Sequence, residues 1–286
     1  GSTPVPGALA PFAPSTAIGD RAVDTYFSYR VGAQYDVTPD IMAFATYTRG
    51  YKGPAINDTA TSPATPLLIK PEIPKSGEVG FKASLAGGRA AFNATAFYTE
   101  VSNFQAQFFD PSIPAFIFGN APELTSKGVS AQFFGRPVRG LTANFGVTYL
   151  DAEYGPGYQV ADSRNTVVSA EGRQLVGSSK WTVTTSAEYT TALSGALDAF
   201  IQADMVYRSR SFSNAANDPI LSTDGAAIFG GRIGVRTTDE KFGVSVFARN
   251  IFDTFRASTR FATPIAAQQL DPQSFSQFVG PEGNRV

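Results

Sequence analysis

The sequence predicts an all-β protein, specifically a transmembrane, antiparallel, up-and-down β-barrel, and three observations lead to this prediction. Apolar and polar residues alternate with a period of two through most of the chain. The alternating segments are about ten residues long, and short turns alternate with long loops between them, as in outer-membrane barrels. The 24 Phe and 11 Tyr favour strands, while 27 Gly and 19 Pro favour turns. Alternation gives each strand one apolar and one polar face, which suits a wall between lipid and a watery lumen.

The individual strands justify this prediction in chain order. In YFSYRVGAQYDV (26–37) the residues from Phe27 to Val37 at odd positions are apolar or aromatic, and those between them are polar or small. The same alternation recurs in LTANFGVTYL (141–150), WTVTTSAEYT (181–190), LDAFIQADMVYR (197–208) and AIFGGRIGVR (227–236). Two segments are less regular, because IMAFATYTRG (41–50) and RAAFNATAFYT (89–99) carry apolar residues on both faces.

The connections predict which end of the barrel lies outside. Short turns are predicted at VTPD (37–40), AGGR (86–89), GRPVRG (135–140), LSGA (193–196) and TDEK (238–241). Long connections fall at 52–76, 155–179, 209–224 and 253–280, whereas the strands around 102–123 should run on past their neighbours. Outer-membrane barrels have short periplasmic turns and long extracellular loops. We therefore expect ten strands and the start of an eleventh, an outer-side loop or linker at 1–25, and barrel from 26 to 286.

Composition gives no support to several classes of function. The chain has 23 basic and 24 acidic residues, which gives no reason to expect a nucleic-acid partner. It contains neither His nor Cys, so an enzyme would need a carboxylate pair, a Ser–Lys pair or a bound metal. Asp198 and Asp204 share a face but lie about 20 Å apart along their strand. We expect no catalytic residues and no cofactor; the carboxylate and carbonyl oxygens of the loops suit calcium, but no residue pattern singles out a metal site.

Four motifs in order resemble the TonB-dependent receptor family of outer-membrane active transporters. They are YTRGYKGPAIN (47–57), KPEIPKSGEVGFKASLAGGRAAFNATAFYTEVSNFQAQ (70–107), FGNAPELTSKGVSAQF (118–133) and FARNIFDTFR (247–256). The resemblance implies a barrel of about 22 strands, of which this chain is the C-terminal half, and a lumen closed by an N-terminal plug domain. We recognise neither the plug, nor the segment that binds TonB, nor the family's final strand, so other polypeptide is expected to complete the barrel.

Candidate ligand-binding residues lie where strands pass into long loops. Tyr51 and Lys52 leave the wall toward the outer mouth, where Tyr and Lys together suit an anionic or catecholic ligand. An equally good explanation is structural: Tyr51 lies in the aromatic belt at the membrane interface, and Lys52 is simply solvated. Loop 155–179 adds Tyr158, Arg164 and Arg173 as candidates.

Three further charged residues are expected in the wall itself. Lys127, Glu78 and Lys82 are predicted to form a network on the polar, lumen-facing side of their strands.

The expected function is import across the outer membrane of a Gram-negative cell. The substrate would be scarce, for example an iron–siderophore chelate, another large nutrient or a glycan. The expected partners are outer-membrane lipid, the remaining strands, the plug, and TonB acting through that plug. A passive porin-like barrel and a soluble all-β carbohydrate-binding domain remain open. A requirement for detergent would separate the soluble domain from the barrels, and a plug would separate transporter from porin.

Overall fold

The computed structural model describes residues 24–57, 67–110, 115–164, 166–262 and 275–278. The strands are β1 (Tyr29–Thr38), β2 (Ile41–Arg49), β3 (Ala55–Ile56), β4 (Leu68–Ile69), β5 (Ile73–Leu85), β6 (Ala90–Asp110), β7 (Ala115–Gly135), β8 (Leu141–Tyr154), β9 (Gln159–Ala161), β10 (Val167–Ser169), β11 (Trp181–Ala192), β12 (Leu197–Arg208), β13 (Ser211–Phe212), β14 (Ser222–Thr223), β15 (Ala226–Thr237), β16 (Gly243–Ala248), β17 (Thr259–Ala262) and β18 (Phe275–Phe278). A 3-10 turn spans Pro219–Leu221. No helix in the described part of the chain is long and apolar enough to cross a membrane, a finding that has no bearing on crossing by strands.

Ten of these strands form one antiparallel sheet in the order β1-β2-β5-β6-β7-β8-β11-β12-β15-β16. Every main strand pairs with the main strand before it, which is the predicted up-and-down meander. The predicted short turns all fall between paired strands at one end of the sheet, and the other end carries the long connections. The prediction of ten main strands is confirmed.

The sheet is open in the described residues. Strand β1 pairs with β2 and strand β16 pairs with β15, and the two edge strands do not pair with each other. The expectation that the chain does not close a small barrel by itself is therefore confirmed, and the sheet forms part of a larger wall. An open edge in hydrocarbon leaves backbone N–H and C=O groups without partners at a cost of several kcal/mol each, so the wall requires further strands.

The outer face of this wall is apolar along continuous rows. Residues that are direct partners on neighbouring strands share a face, so the register traces each row across the sheet. One row crosses nine strands without a polar side chain, through Tyr35, Ala43, Phe81, Ala94, Ala131, Val147, Val183, Tyr207 and Ala227. Phe81 and Tyr35 on this row are exposed, as lipid-facing side chains are in an isolated chain. The prediction that the apolar positions of successive strands share one face is confirmed.

The inner face is polar, and three of its aromatic rings pack against glycines. The next row passes through Gln34, Phe44, Gly80, Thr95, Ser130, Thr148 and Thr182. Phe44 lies on Gly80, Phe97 on Gly128 and Phe200 on Gly234, each pair being direct cross-strand partners. A Cβ built on any of the three glycines would come within 2.9 Å of the ring. These contacts explain why 41–50 and 89–99 carry apolar residues on both faces.

The prediction that Lys127 faces the lumen is wrong. Lys127 is the direct partner of Tyr98 on β6 and of Asp151 on β8, and it shares the outer face with Val129 two positions further along. Gly128 lies on the inner face instead. Polarity alone predicts a lumen-facing position for a charged residue in a strand. The register sets the face instead, and it places Lys127 on the same side as the apolar residues that follow it. Glu78 and Lys82 do lie on the polar face, where Glu78 accepts a hydrogen bond from Thr46 at 3.3 Å.

Several predictions concern residues outside the described ranges. They include most of the outer-side loop at 1–25 and the centre of the loop at 52–76, and these assignments stay predictions.

Candidate functional site at the outer mouth

The end of the sheet that carries the long connections, which we call the outer mouth, is formed by the described parts of three segments. The first is the hairpin of β6 and β7, which continues beyond its neighbours: β5 begins opposite Ser102, and β8 ends opposite Leu124. The second is the connection from β2 to β5, and the third is a pair of loops, 155–180 and 209–225, which pack on each other. We call this pair the loop unit. Binding residues are commonly placed on loops that a rigid scaffold holds.

The loop unit has a hydrophobic core of its own. Its buried members come from the upper ends of β6–β8 and from both loops, namely Val101, Ala121, Leu124, Tyr154, Tyr158, Val160, Ala170, Ala215 and Ala216. The rings of Tyr154 and Tyr158 are 5.2 Å apart. Strands β9 and β10 form a small hairpin that presents Val160 to this core. Loop 155–180 is therefore a packed extension of the wall.

Hydrogen bonds join the two loops of the unit. The backbone N–H of Gln174 donates to Asn217 Oδ1 at 2.7 Å, and Asn217 Nδ2 donates back to the carbonyl of Gln174 at 2.9 Å. The backbone N–H of Ser163 donates to Asp218 Oδ2 at 2.7 Å. Each of these bonds joins residues more than 40 positions apart, so they fix the arrangement of the two loops.

Glu72 joins the β2–β5 connection to the long hairpin. Its Oε1 atom accepts hydrogen bonds from Lys52 Nζ at 3.2 Å and from the backbone N–H of Gln105 at 2.6 Å. Gln105 Nε2 donates to the carbonyls of Gly53 and Lys70. Asn57, which is fully buried, donates from Nδ2 to the carbonyl of Phe118 at 3.0 Å. The hairpin and this connection therefore form a second ordered side of the mouth.

Tyr51 and Lys52 are placed on opposite faces of the wall. The ladder that pairs Arg49 with Lys75 continues in register to the bridge between Lys52 and Glu72. Tyr51 thus shares the outer face with Arg49, and it stacks on Tyr26 at 4.7 Å and donates from its hydroxyl to Asp24 at 3.0 Å. Lys52 lies on the inner side, exposed and ion-paired with Glu72. Lys52 therefore faces the inside of the mouth, whereas Tyr51 does not.

The three candidates in loop 155–179 also occupy different environments. Tyr158 is only 6% exposed, and burial raises the pKa of its phenol. Arg173 is half-buried, and its guanidinium donates to the carbonyl of Ala216 across the loop unit. Arg164 is exposed at a turn in which Asp162 Oδ1 accepts the N–H groups of Arg164 and Thr166, both at 2.8 Å. Arg164 can reach a ligand directly, whereas Tyr158 and Arg173 hold the loop unit in its present shape. Ligand contact by these residues stays a prediction.

Sequence reasoning missed the residues that organise the mouth. Glu72, Gln105, Gln174 and Asn217 act through partners far away in the chain, and no local spacing marks them. Within the described residues, no group of three or more acidic side chains is arranged to hold a metal ion. The site is therefore a polar, cation-bearing mouth built from hydrogen-bonded loops.

The fold and the mouth are those of one class of protein, the outer-membrane β-barrels, in which long loops lie at one end of the wall. Residues 10–251 match the family described as TonB dependent receptor-like, beta-barrel. The chain belongs to this TonB-dependent receptor family, whose barrels are outer-membrane structures. The identification inferred from the four motifs is confirmed.

Known proteins of this kind resemble the chain in sequence or fold. The metal-pseudopaline receptor of Pseudomonas aeruginosa is 30% identical over 124 residues, which cover 43% of this chain and 16% of that receptor. The ferric yersiniabactin uptake receptor of Yersinia pestis shares the fold with a TM-score of 0.67 and 16% identity, covering 82% of this chain and 33% of that one. The ferric preacinetobactin receptor of Acinetobacter baumannii has a TM-score of 0.60 and 21% identity, and the match covers 87% of this chain and 34% of that one. The chain thus spans about a third or less of the length of these relatives.

Proposed function

We propose that this chain forms part of the wall and outer mouth of a receptor that imports a scarce nutrient across the outer membrane. The observation that carries the proposal is the division of the sheet into an end with short turns and an end with ordered loops, within a chain of the TonB-dependent receptor family. Outer loops that are rigid before ligand arrives lose little conformational entropy on binding it. The energy for import would come from TonB acting through a plug domain in the lumen.

The proposed substrate is a metal–siderophore complex. Two things support this class: the names of the relatives, which are receptors for metal-pseudopaline, ferric yersiniabactin and ferric preacinetobactin, and the cations at the mouth. Lys52 and Arg164 are exposed on the loop-bearing side, where they suit an anionic chelate. Lys52 must first release Glu72, which then stays hydrogen-bonded to the N–H of Gln105. Tyr51, Tyr158 and Arg173 would act by shaping the mouth.

The test is uptake of radiolabelled ferric chelates by cells that depend on the receptor containing this chain. We expect uptake to require TonB and the proton gradient, and the double variant Lys52→Ala/Arg164→Ala to raise the half-saturating concentration several-fold. Lys241→Ala, in a turn at the opposite end of the sheet, is the matched control and should leave uptake unchanged. Uptake that continues without TonB or a proton gradient would identify a passive channel instead.

A further inference from the structure

A cluster of charges lies on the outer face just above two aromatic side chains. We define this outer rim patch as Lys127, Asp151 and Lys180 together with the rings of Tyr149 and Trp181. Tyr149 pairs directly with Val129 and with Trp181 across the sheet, and the two rings are 4.9 Å apart. Lys127 and Asp151 pair with each other two positions nearer the loops. Trp and Tyr at this position mark the level where lipid headgroups meet the hydrocarbon.

The two lysines of the patch share one shielded carboxylate. Lys127 Nζ is 3.5 Å from Asp151 Oδ2, and Lys180 Nζ is 3.0 Å from Asp151 Oδ1. The Asp151 side chain is 14% exposed, against 57% for Lys127 and 41% for Lys180. The hydrogen bond with Asp151 raises the pKa of Lys180, so the ammonium stays charged. A molecule that approaches from outside therefore meets two ammonium groups, with their carboxylate behind them.

Four more charged residues, two acidic and two basic, lie near the outer rim patch. Glu153, 35% exposed, is 3.9 Å from Lys180, at the limit of an ion pair. On the neighbouring strands Lys75 is 3.7 Å from Glu100, and these two also share the outer face. Arg49, directly opposite Lys75, lies over the ring of Tyr26 at 4.9 Å. Among the residues named here, the least exposed of the three carboxylates is that of Asp151, which two lysines share.

We propose that the outer rim patch binds the phosphate group of a lipid in the outer leaflet. This inference depends on one part of the proposed function, namely that the wall lies in a membrane. Two ammonium groups held by a common carboxylate are pre-positioned to donate to phosphate oxygens, and the rings of Tyr149 and Trp181 pack on the glycerol or sugar and the first methylene groups. A phosphate on a free solute lacks this apolar part, so a lipid fits the complete patch. Such a lipid would fix the height of the wall in the membrane.

The experiment is native mass spectrometry of the purified receptor containing this chain, released from nanodiscs. The nanodiscs contain phosphatidylcholine alone or phosphatidylcholine with phosphatidic acid, which carries a phosphate monoester. We expect retained phosphatidic acid, and we expect Lys127→Gln/Lys180→Gln to lower its retention about 25-fold, since each lysine near an anionic surface contributes about fivefold. Lys241→Gln, at the other end of the sheet, should retain the lipid fully. Lys127→Arg/Lys180→Arg should retain most of it and shows that the fold tolerates substitution.

Each outcome decides the proposal. Equal retention by the wild type and the double Gln variant would overturn it. Displacement of the lipid by millimolar inorganic phosphate would identify a small-anion site, and loss of a receptor dimer in the double Gln variant would identify a protein interface; either would overturn it. If lipid retention follows the prediction while ferric-chelate uptake does not depend on TonB, the proposed function fails and this inference stands.

Discussion

The ring of Phe97 lies against Gly128 on the neighbouring strand of the inner face. The two residues are direct partners, and a Cβ built at Gly128 would lie 2.7 Å from the ring's Cζ atom. The same Cβ would lie even closer to the backbone carbonyl oxygen of Tyr149 on β8, so a larger residue at position 128 must displace both the ring and this backbone. We expect Gly128→Val to lower the free energy of unfolding by about 1–3 kcal/mol, as other overpacking substitutions do.

Urea unfolding of the protein in detergent or lipid vesicles measures this loss. Gly77→Val is the matched control, because a Cβ at Gly77 in β5 would meet nothing within 4 Å. Equal losses for the two variants would show that strand glycines matter here for backbone conformation alone and not for the close contacts at Gly128 with Phe97 and Tyr149.

The assignment of the two faces predicts a strong asymmetry between neighbouring positions. Val147 and Ile201 lie near the middle of their strands on the apolar face, whereas Asn144 and Gln202 lie on the polar face. We expect an Arg at either apolar position to cost about 2–4 kcal/mol of folding free energy in a bilayer, and an Arg at either polar position to cost much less. Urea unfolding in lipid vesicles gives all four values. Similar costs on both faces would refute the assignment.

The absence of Cys from the chain allows the topology to be tested with single thiols. Glu171 is exposed in the loop unit, and Gly195 lies in a short turn where an added side chain meets nothing within 4 Å. We expect a membrane-impermeant maleimide to label Glu171→Cys on intact cells. Gly195→Cys should react only after the outer membrane is permeabilised. The opposite labelling would show that the chain has the reverse orientation in the membrane. An epitope tag inserted near residue 62, which lies outside the described ranges, should also be accessible on intact cells.

Burial of Tyr158 predicts that the loop unit is sensitive to alkali. Burial raises the pKa of this phenol, so folding favours its neutral form. The resulting stability is complete below the unfolded pKa of about 10 and is lost as the pH rises toward the higher folded pKa. Limited proteolysis of loop 155–179 should therefore accelerate above that pH in the wild type and much less in Tyr158→Phe. Tyr189→Phe is the control, because Tyr189 is exposed on the outer face. An unchanged pH profile in Tyr158→Phe would contradict this prediction.

The reciprocal hydrogen bonds between Gln174 and Asn217 predict that the two loops of the unit open together. Asn217→Ala leaves the buried backbone groups of Gln174 without their partner, which costs about 1–3 kcal/mol for each such group. Hydrogen exchange should then speed up in both 155–180 and 209–225. Asn144→Ala, which removes an exposed bond to Ser186, should leave both loops protected. Faster exchange in only one loop would show that the loops are stabilised separately.

The sequence by itself determined the strands, the turns and their order. Alternation along YFSYRVGAQYDV and turn residues such as those of AGGR act within a few residues, so each strand and hairpin is a local consequence of composition. The meander follows, because strands joined by short turns pair with their neighbours. The long hairpin was predicted for the same reason, since QAQFF and AFIFG continue the alternation on both sides of its tip.

Only the tertiary structure decided which charged and aromatic side chains meet at the mouth and the rim. The face of Lys127 follows from its pairing with Tyr98 and Asp151. This pairing depends on how β6, β7 and β8 align, so the sequence of β7 alone does not specify it. Tyr158 is buried in a cluster that includes Ala215 and Ala216 of loop 209–225, and nothing within its own loop indicates those neighbours. Such contacts join residues far apart in the chain, so they depend on the pairing of several strands and loops, whereas alternation and turns depend only on adjacent residues.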